Sequence, residues 1–189
     1  SADVQVGNGR ALVMADKSFD LKVTTSGADG FAQIVTDGAA TTTNVTSEIT
    51  GGAIGGLLQV RDTLVPSYIA QLDQLAYTVS SDVNDLVTSG YDLNANAGVN
   101  FFSQPSAVAG AAGLMSVNAA VVADNRLVVT SSTTAAGNND VANAVAALQD
   151  APMTGTTARP VEGWSGLVYS VANDSRTAVG APTHPDGRP

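Results

Sequence analysis

The chain has 189 residues, 44% of them hydrophobic, and its 17 acidic and 8 basic side chains give a formal charge of −9. Two lysines and scattered arginines make no basic patch for a nucleic-acid backbone, no apolar run approaches the roughly 20 residues that span a bilayer, and the amino terminus lacks the basic-then-apolar plan of a secretory signal. The absence of cysteine removes disulfides, thiolate catalysis and thiolate metal sites together, so packing must hold whatever one large or two modest domains this length builds.

Residues 1–46 read as a β-rich segment. Val4-Gln5-Val6, a turn at Gly7-Asn8-Gly9 and Ala11-Leu12-Val13-Met14 have hairpin wording, and Phe19-Asp20-Leu21-Lys22-Val23 and Phe31-Ala32-Gln33-Ile34-Val35 follow as strands around Gly27 and Gly30. Residues 47–104 are dominated by one long helix and its exit loop. Leu58, Val65, Leu72, Val79 and Leu86 recur at every seventh position, and Ile69, Ala76 and Val83 fill the four-residue offset between them. These eight residues form a heptad seam and are the candidate helix-packing or assembly positions. Gln71, Asp73, Gln74, Ser80, Ser81, Asp82 and Asn84 fall on the face predicted to be wet. Tyr68 and Leu75 widen the apolar stripe, so a bundle suits it as well as a two-stranded coil does. Pro66 lacks a backbone N–H and predicts a kink or a restart.

Beyond Gly90 the chain changes to loop chemistry, and residues 105–135 are expected to be β-rich. Residues 136–179 are expected to supply helices that pack back on the long one, first over 138–149 with Asp140 near its start, then over 162–179 with Trp164, Leu167, Val168 and Val171 spaced three and four apart. Residues 180–189 read as a flexible tail.

Asp92, Asn94 and Asn96 place oxygens at alternate positions, as a calcium loop does, but Ala97 stands where the loop needs glycine and Ser103 where it needs a bidentate glutamate. A turn in which Asp and Asn side chains bond their own backbone is the expectation instead. Gly51-Gly52 and Gly55-Gly56 have no lysine after them to make a phosphate loop, and read as a start that brings the helix close to another backbone. The single histidine, His184, sits in the polar tail, which excludes histidine triads and histidine metal clusters. No catalytic, cofactor-binding or metal-ligating set is predicted. Phe101-Phe102 and Trp164 read as core aromatics, with a subunit contact as the alternative.

The glycine-rich start, then Leu57-Leu58, Arg61-Asp62, Tyr68, Leu72-Asp73, Leu75-Ala76 and Val83-Asn84, and finally Gly90-Tyr91-Asp92-Leu93-Asn94 with Phe101-Phe102, resemble the family of the flagellar hook-associated protein FlgK. Weaker likeness runs through Val117-Asn118-Ala119-Ala120-Val121, Arg126-Leu127-Val128-Val129 and residues 138–150. The family begins with an Asn-Thr-Pro-Gly-Tyr-Ser segment and ends with a helix that coils against it. Neither is found here, so the chain is expected to be a middle fragment that alone is monomeric and neither exported nor polymerised.

The resemblance implies an α+β fold with a helical bundle region and β-rich regions. It also implies a structural, non-enzymatic role at the hook–filament junction of the bacterial flagellum, with extracellular placement after export by the flagellar type III system. A homo-oligomeric ring, the hook protein and the second junction protein are the implied partners, and no cofactor, nucleic acid or membrane. Two alternatives are another extracellular assembly protein, such as a hook, flagellin-like or adhesin subunit, and a hydrolase working through two converging carboxylates.

Overall fold

A computed structural model describes residues 4–6, 9–14, 17–25, 30–37 and 42–180. The positions read as turn residues at Gly7, Asn8 and Gly27, and the tail with His184, lie outside the described residues. The chain divides into two compact units, Ser1–Pro66 and Ser67–Pro189. The division falls within the long helix, at the proline, and not after residue 46.

In the first unit β1 (Val4–Val6), β2 (Arg10–Met14) and β3 (Lys17–Ser18) form one antiparallel sheet, and β4 (Leu21–Thr24), β5 (Gln33–Asp37) and β6 (Thr42–Asn44) form another. The strands are short and β-branched, and the register Val23↔Ile34 and Val35↔Asn44 sets each hydrophobe on the middle strand opposite a partner. Val35, Val45 and Ile49 are buried, and the Thr46 hydroxyl accepts the Ile34 N–H at 2.8 Å, sewing the end of the second sheet to the turn beyond it. Arg10 on β2 grips Glu48 with two 2.8 Å hydrogen bonds. The guanidinium holds the Glu48 carboxyl below its usual range.

α1 (Gly52–Gln59) opens on Gly52 at φ +66°. At Gly55 a Cβ would stand 2.6 Å from the Thr50 carbonyl carbon, so the expected close backbone approach is made here. A π-helical stretch (Val60–Leu64) leads into α2 (Val65–Thr88). The wider register falls just ahead of Pro66, whose missing N–H cannot complete an ordinary bond to the Asp62 carbonyl.

The second unit contains the rest of α2, then α3 (Ala111–Leu114), α4 (Ala119–Ala123), α5 (Asp140–Ala147) and α6 (Pro160–Gly180). Its core is Val87, Val129 and Val141, with Val83, Phe101 and Val145 packed around it. Residues 105–135 are not β-rich as expected. The Asn118 side chain accepts the Ala120 N–H and starts a helical turn, Asp124 accepts the Arg126 N–H ahead of a short 3-10 turn at Asn125–Leu127, and pairing is confined to isolated bridges such as Phe102↔Val117 and Tyr91↔Ser131. Side-chain caps outweigh the strand preference of Val121, Val122 and the valines after Leu127.

α6 begins at Pro160 as a first-turn proline, and Glu162 accepts the Arg159 N–H at 2.8 Å in half of a capping box. It runs antiparallel to α2. Tyr68 Oη donates to Asp174 at 2.6 Å near one end, and a Cβ at Gly163 would stand 3.4 Å from Leu75 Cδ1 toward the other. Leu167 lies buried between these points, whereas Trp164 is 52% exposed, so the core reading of that indole is corrected.

Candidate assembly site

The segment after α2 is held to that helix by groups the sequence pattern assigned to water. Asp73, Ser80 and Asn84 are buried, which corrects the wet-face reading for all three. Asp73 accepts the Gly110 N–H at 2.7 Å on one carboxylate oxygen and the Ala112 N–H at 2.9 Å on the other, fixing the first turn of α3. Asn84, three helical turns further on, accepts the Phe102 N–H at 2.9 Å. It returns its own N–H groups to the Phe102 carbonyl at 3.0 Å and to Gln104 Oε1 at 3.1 Å. The carboxamide thus does for Phe102 what a neighbouring strand would. Residues 73, 80, 84 and 87 recur at seven, four and three, a helical spacing that was legible in the sequence but hidden because most of its members are polar.

The motif residues that begin this segment serve close packing. A Cβ on Gly90 would lie 2.5 Å from the Ser131 carbonyl oxygen, and one on Gly98 would lie 2.1 Å from the Val87 carbonyl oxygen. These two glycines meet through a 2.9 Å bond from the Gly98 N–H to the Gly90 carbonyl. Between them Asp92, buried, accepts the Asn94 N–H at 2.8 Å and the Asn96 N–H at 2.9 Å, and Ala95 takes φ +61°. The Asn96 amide is the main cause holding the Asp92 carboxyl below its ordinary range, and desolvation opposes it. The Asp92 carboxylate is therefore occupied by backbone two and four residues on, as the expected turn requires. Tyr91 and Leu93 donate their N–H groups to Ser131 and Arg126 carbonyls at 2.8 and 3.0 Å while their side chains stay exposed, as does that of Asn94. Phe101 enters the core, and Phe102 meets it edge to face with centroids 5.0 Å apart.

The heptad seam divides along its length. Ala76, Val79, Val83 and Leu86 are half-buried, and Val145 and Leu148 from α5 and its following turn line a cleft with Val79 and Val83. Val65, Ile69 and Leu72 are exposed, with Leu58 half-buried at the head of the series. Among the described residues no group of three histidine, cysteine, aspartate or glutamate side chains is placed to hold a metal, and no helix is long and apolar enough to cross a membrane. The ionised pairs at Lys22–Asp37, Arg61–Asp62, Arg126–Asp124 and Arg159–Glu162 are surface pairs, each a local brace worth little to stability.

A long helix that latches its own exit loop with polar side chains while presenting part of an apolar seam defines a helical packing domain. The sequence family described as "Flagellar hook-associated protein FlgK helical domain" matches residues 1–102, more than half of the chain, and the chain belongs to that family. The match runs to Phe102 and so takes in the motif from Gly90 onward. Among solved structures, the flagellar hook junction protein FlgK from Burkholderia pseudomallei is similar at 31% identity and a TM-score of 0.46, over 53% of this chain and 20% of that one. The chain thus spans about a fifth of the length of that protein. No curated protein matches the chain.

Proposed function

We propose that the chain is part of a structural component of the bacterial flagellum that joins hook to filament, and that its contribution is mechanical. The observation that carries this reading is the match of the hook-associated helical-domain family over residues 1–102. The geometry agrees with it. In the second unit Asp73 and Asp92 are capped by backbone N–H groups and Asp124 and Glu162 are paired with arginines, and the clefts at Asp62 and at Asp82 each hold a single carboxylate and not a converging pair. A hydrolase would need such a convergence.

In this role the seam residues Leu58, Val65, Ile69 and Leu72 belong to the surface that meets other subunits, and Ala76, Val79, Val83 and Leu86 belong to the fold that presents it. The partners are further copies in a ring, the hook protein below and the second junction protein above. The setting is extracellular, reached through the flagellar export apparatus.

Complementation tests this. The complete gene product carrying this sequence, supplied to a motile bacterium that lacks its own hook-associated protein, restores attached filaments counted by microscopy. Exported, stable protein with flagellin still shed into the medium sinks the junction role.

A further inference from the structure

We infer that Met153 is a peroxide-sensitive clip: its thioether sulfur is a modification site for a small oxidant, and conversion to the sulfoxide loosens α6 from α2. Residues 151–159 join the 3-10 turn at Leu148–Asp150 to α6 and reach both helices as a strap. The strap closes on itself. The Met153 N–H donates to the Ala158 carbonyl at 3.0 Å, the Thr156 N–H donates to the Met153 carbonyl at 3.0 Å, and Gly155 takes φ +78° at the bend. It is pinned to α2 where the Thr154 N–H donates to Asp82 at 3.1 Å.

This backbone fixes where the methionine side chain goes. Met153 is buried, and a Cβ on Gly163 would stand 3.2 Å from its Cε and 3.4 Å from Leu75 Cδ1. The methyl therefore rests against bare backbone of α6 beside a leucine of α2. Apolar packing joins the two helices at this end, whereas the Tyr68–Asp174 hydrogen bond joins them at the other.

Burial here is not enclosure. Met153 lines an open cleft of about 230 Å³ with Gln71, Gln74, Thr78 and Thr156, several times the roughly 30 Å³ that a water molecule occupies, and peroxide is little larger. The chain has no cysteine, so methionine thioethers are its only sulfur nucleophiles. The sulfur attacks one oxygen of hydrogen peroxide, the O–O bond breaks as the S–O bond forms, and the second oxygen leaves as water with the proton of the first. Sulfur gives up two electrons and the peroxide takes them, which leaves a sulfoxide.

The product does not suit the site. A sulfoxide oxygen is a polar acceptor that needs donors. The Thr78 hydroxyl already donates to the Gln74 carbonyl at 2.9 Å, and the Thr156 hydroxyl to the Met153 and Ala158 carbonyls at 3.3 and 3.2 Å. Neither hydroxyl stands ready for it. Hydrating the new oxygen draws the side chain away from Gly163, which has no side chain of its own to fill the gap. α6 is then held to α2 by Leu167 and the Tyr68–Asp174 bond. The device lies within the second unit and does not depend on the hook–filament reading.

The test exposes the 189-residue chain to hydrogen peroxide, locates added oxygen by peptide mass spectrometry and follows amide hydrogen exchange along α6. Oxygen is expected on Met153, with exchange at Leu167 and Val168 faster by about tenfold, as loss of one buried apolar contact from a local opening equilibrium implies. Met153→Leu, which conserves the volume, should keep α6 protected before and after peroxide, with Met14 and Met115 still present to oxidise. Methionine sulfoxide reductase acting on the oxidised parent chain should return the protection, a reading that needs no variant. Met153 unoxidised in the folded chain, exchange along α6 indifferent to its oxidation or not reversed by the reductase, or a Met153→Leu chain as sensitive as the parent overturns the inference.

Discussion

The two faces of α2 reverse the ordinary pattern of an amphipathic helix. The face carrying Asp73, Ser80 and Asn84 is buried and bonded to the chain that follows, while Ile69 and Leu72 on the apolar seam stand in solvent. A helix is amphipathic toward whatever it packs on. Residues 100–112 arrive as mostly irregular backbone whose N–H and C=O groups no continuous ladder satisfies, so the helix face that receives them needs acceptors and donors more than methyl groups. The bare seam has no such client among the described residues, and its side chains are of the kind that await a helix.

If the buried face rests on close packing and polar latches, the largest loss comes from crowding the glycine pair. Gly98→Ala places a methyl 2.1 Å from the Val87 carbonyl oxygen, where backbone and not a flexible tip must give way. A destabilisation of about 3 kcal/mol in urea unfolding is expected, at the upper end of ordinary overpacking. A loss no greater than that of an exposed substitution would mean that Gly98 does not lie against the Val87 carbonyl.

Removing a latch comes next. Asn84→Ala deletes three hydrogen bonds and leaves the Phe102 N–H and carbonyl without that partner, for an expected loss of about 2 kcal/mol. Asp73→Ala acts in the same direction by freeing the Gly110 and Ala112 amides. Hydrogen exchange at Phe102, Gly110 and Ala112 reads both effects residue by residue, and protection unchanged in either variant would break the contrast between the two faces.

The acid side sharpens it further. The folded Asp92 carboxyl titrates below its unfolded value because backbone N–H groups bond the charged form. Its contribution is complete above the unfolded value and drains away as pH falls through the folded one. Asp92→Asn should therefore flatten the acid limb of stability against pH, below the ordinary carboxyl range, relative to the parent chain.

The smallest effect belongs to the bare seam. Ile69→Ser and Leu72→Ser should each change stability by no more than about 0.5 kcal/mol, as surface substitutions do. A cost several times larger would show that the seam is packed after all.

The periodicities carried part of this architecture in plain sight. Leu58 to Leu86 at sevens marked the long helix, the β-branched runs before residue 46 marked strands, and Trp164, Leu167, Val168 and Val171 marked the last helix. The register of burial was harder to read, because a polar residue at a buried position looks like a wet one until its partner is known: Asp73 and Asn84 have partners 37 to 39 and 18 to 20 residues away. The expected strands between 105 and 135 failed for a local reason. Asn118 and Asp124 cap helical turns, and capping signals at single positions were outvoted by the valines around them. The glycine pair at 90 and 98 was visible as part of a family motif, but the carbonyl each one faces lies on another element and left no mark in the local sequence.

The most direct measurement is a count of attached filaments in cells whose complete gene product carries Ile69→Asp. The variant should be as stable and as well exported as the parent, yet leave most hooks without filaments, because the exposed part of the seam around Ile69 serves partners and not the fold. Normal numbers of attached filaments would contradict the assignment of that face to assembly.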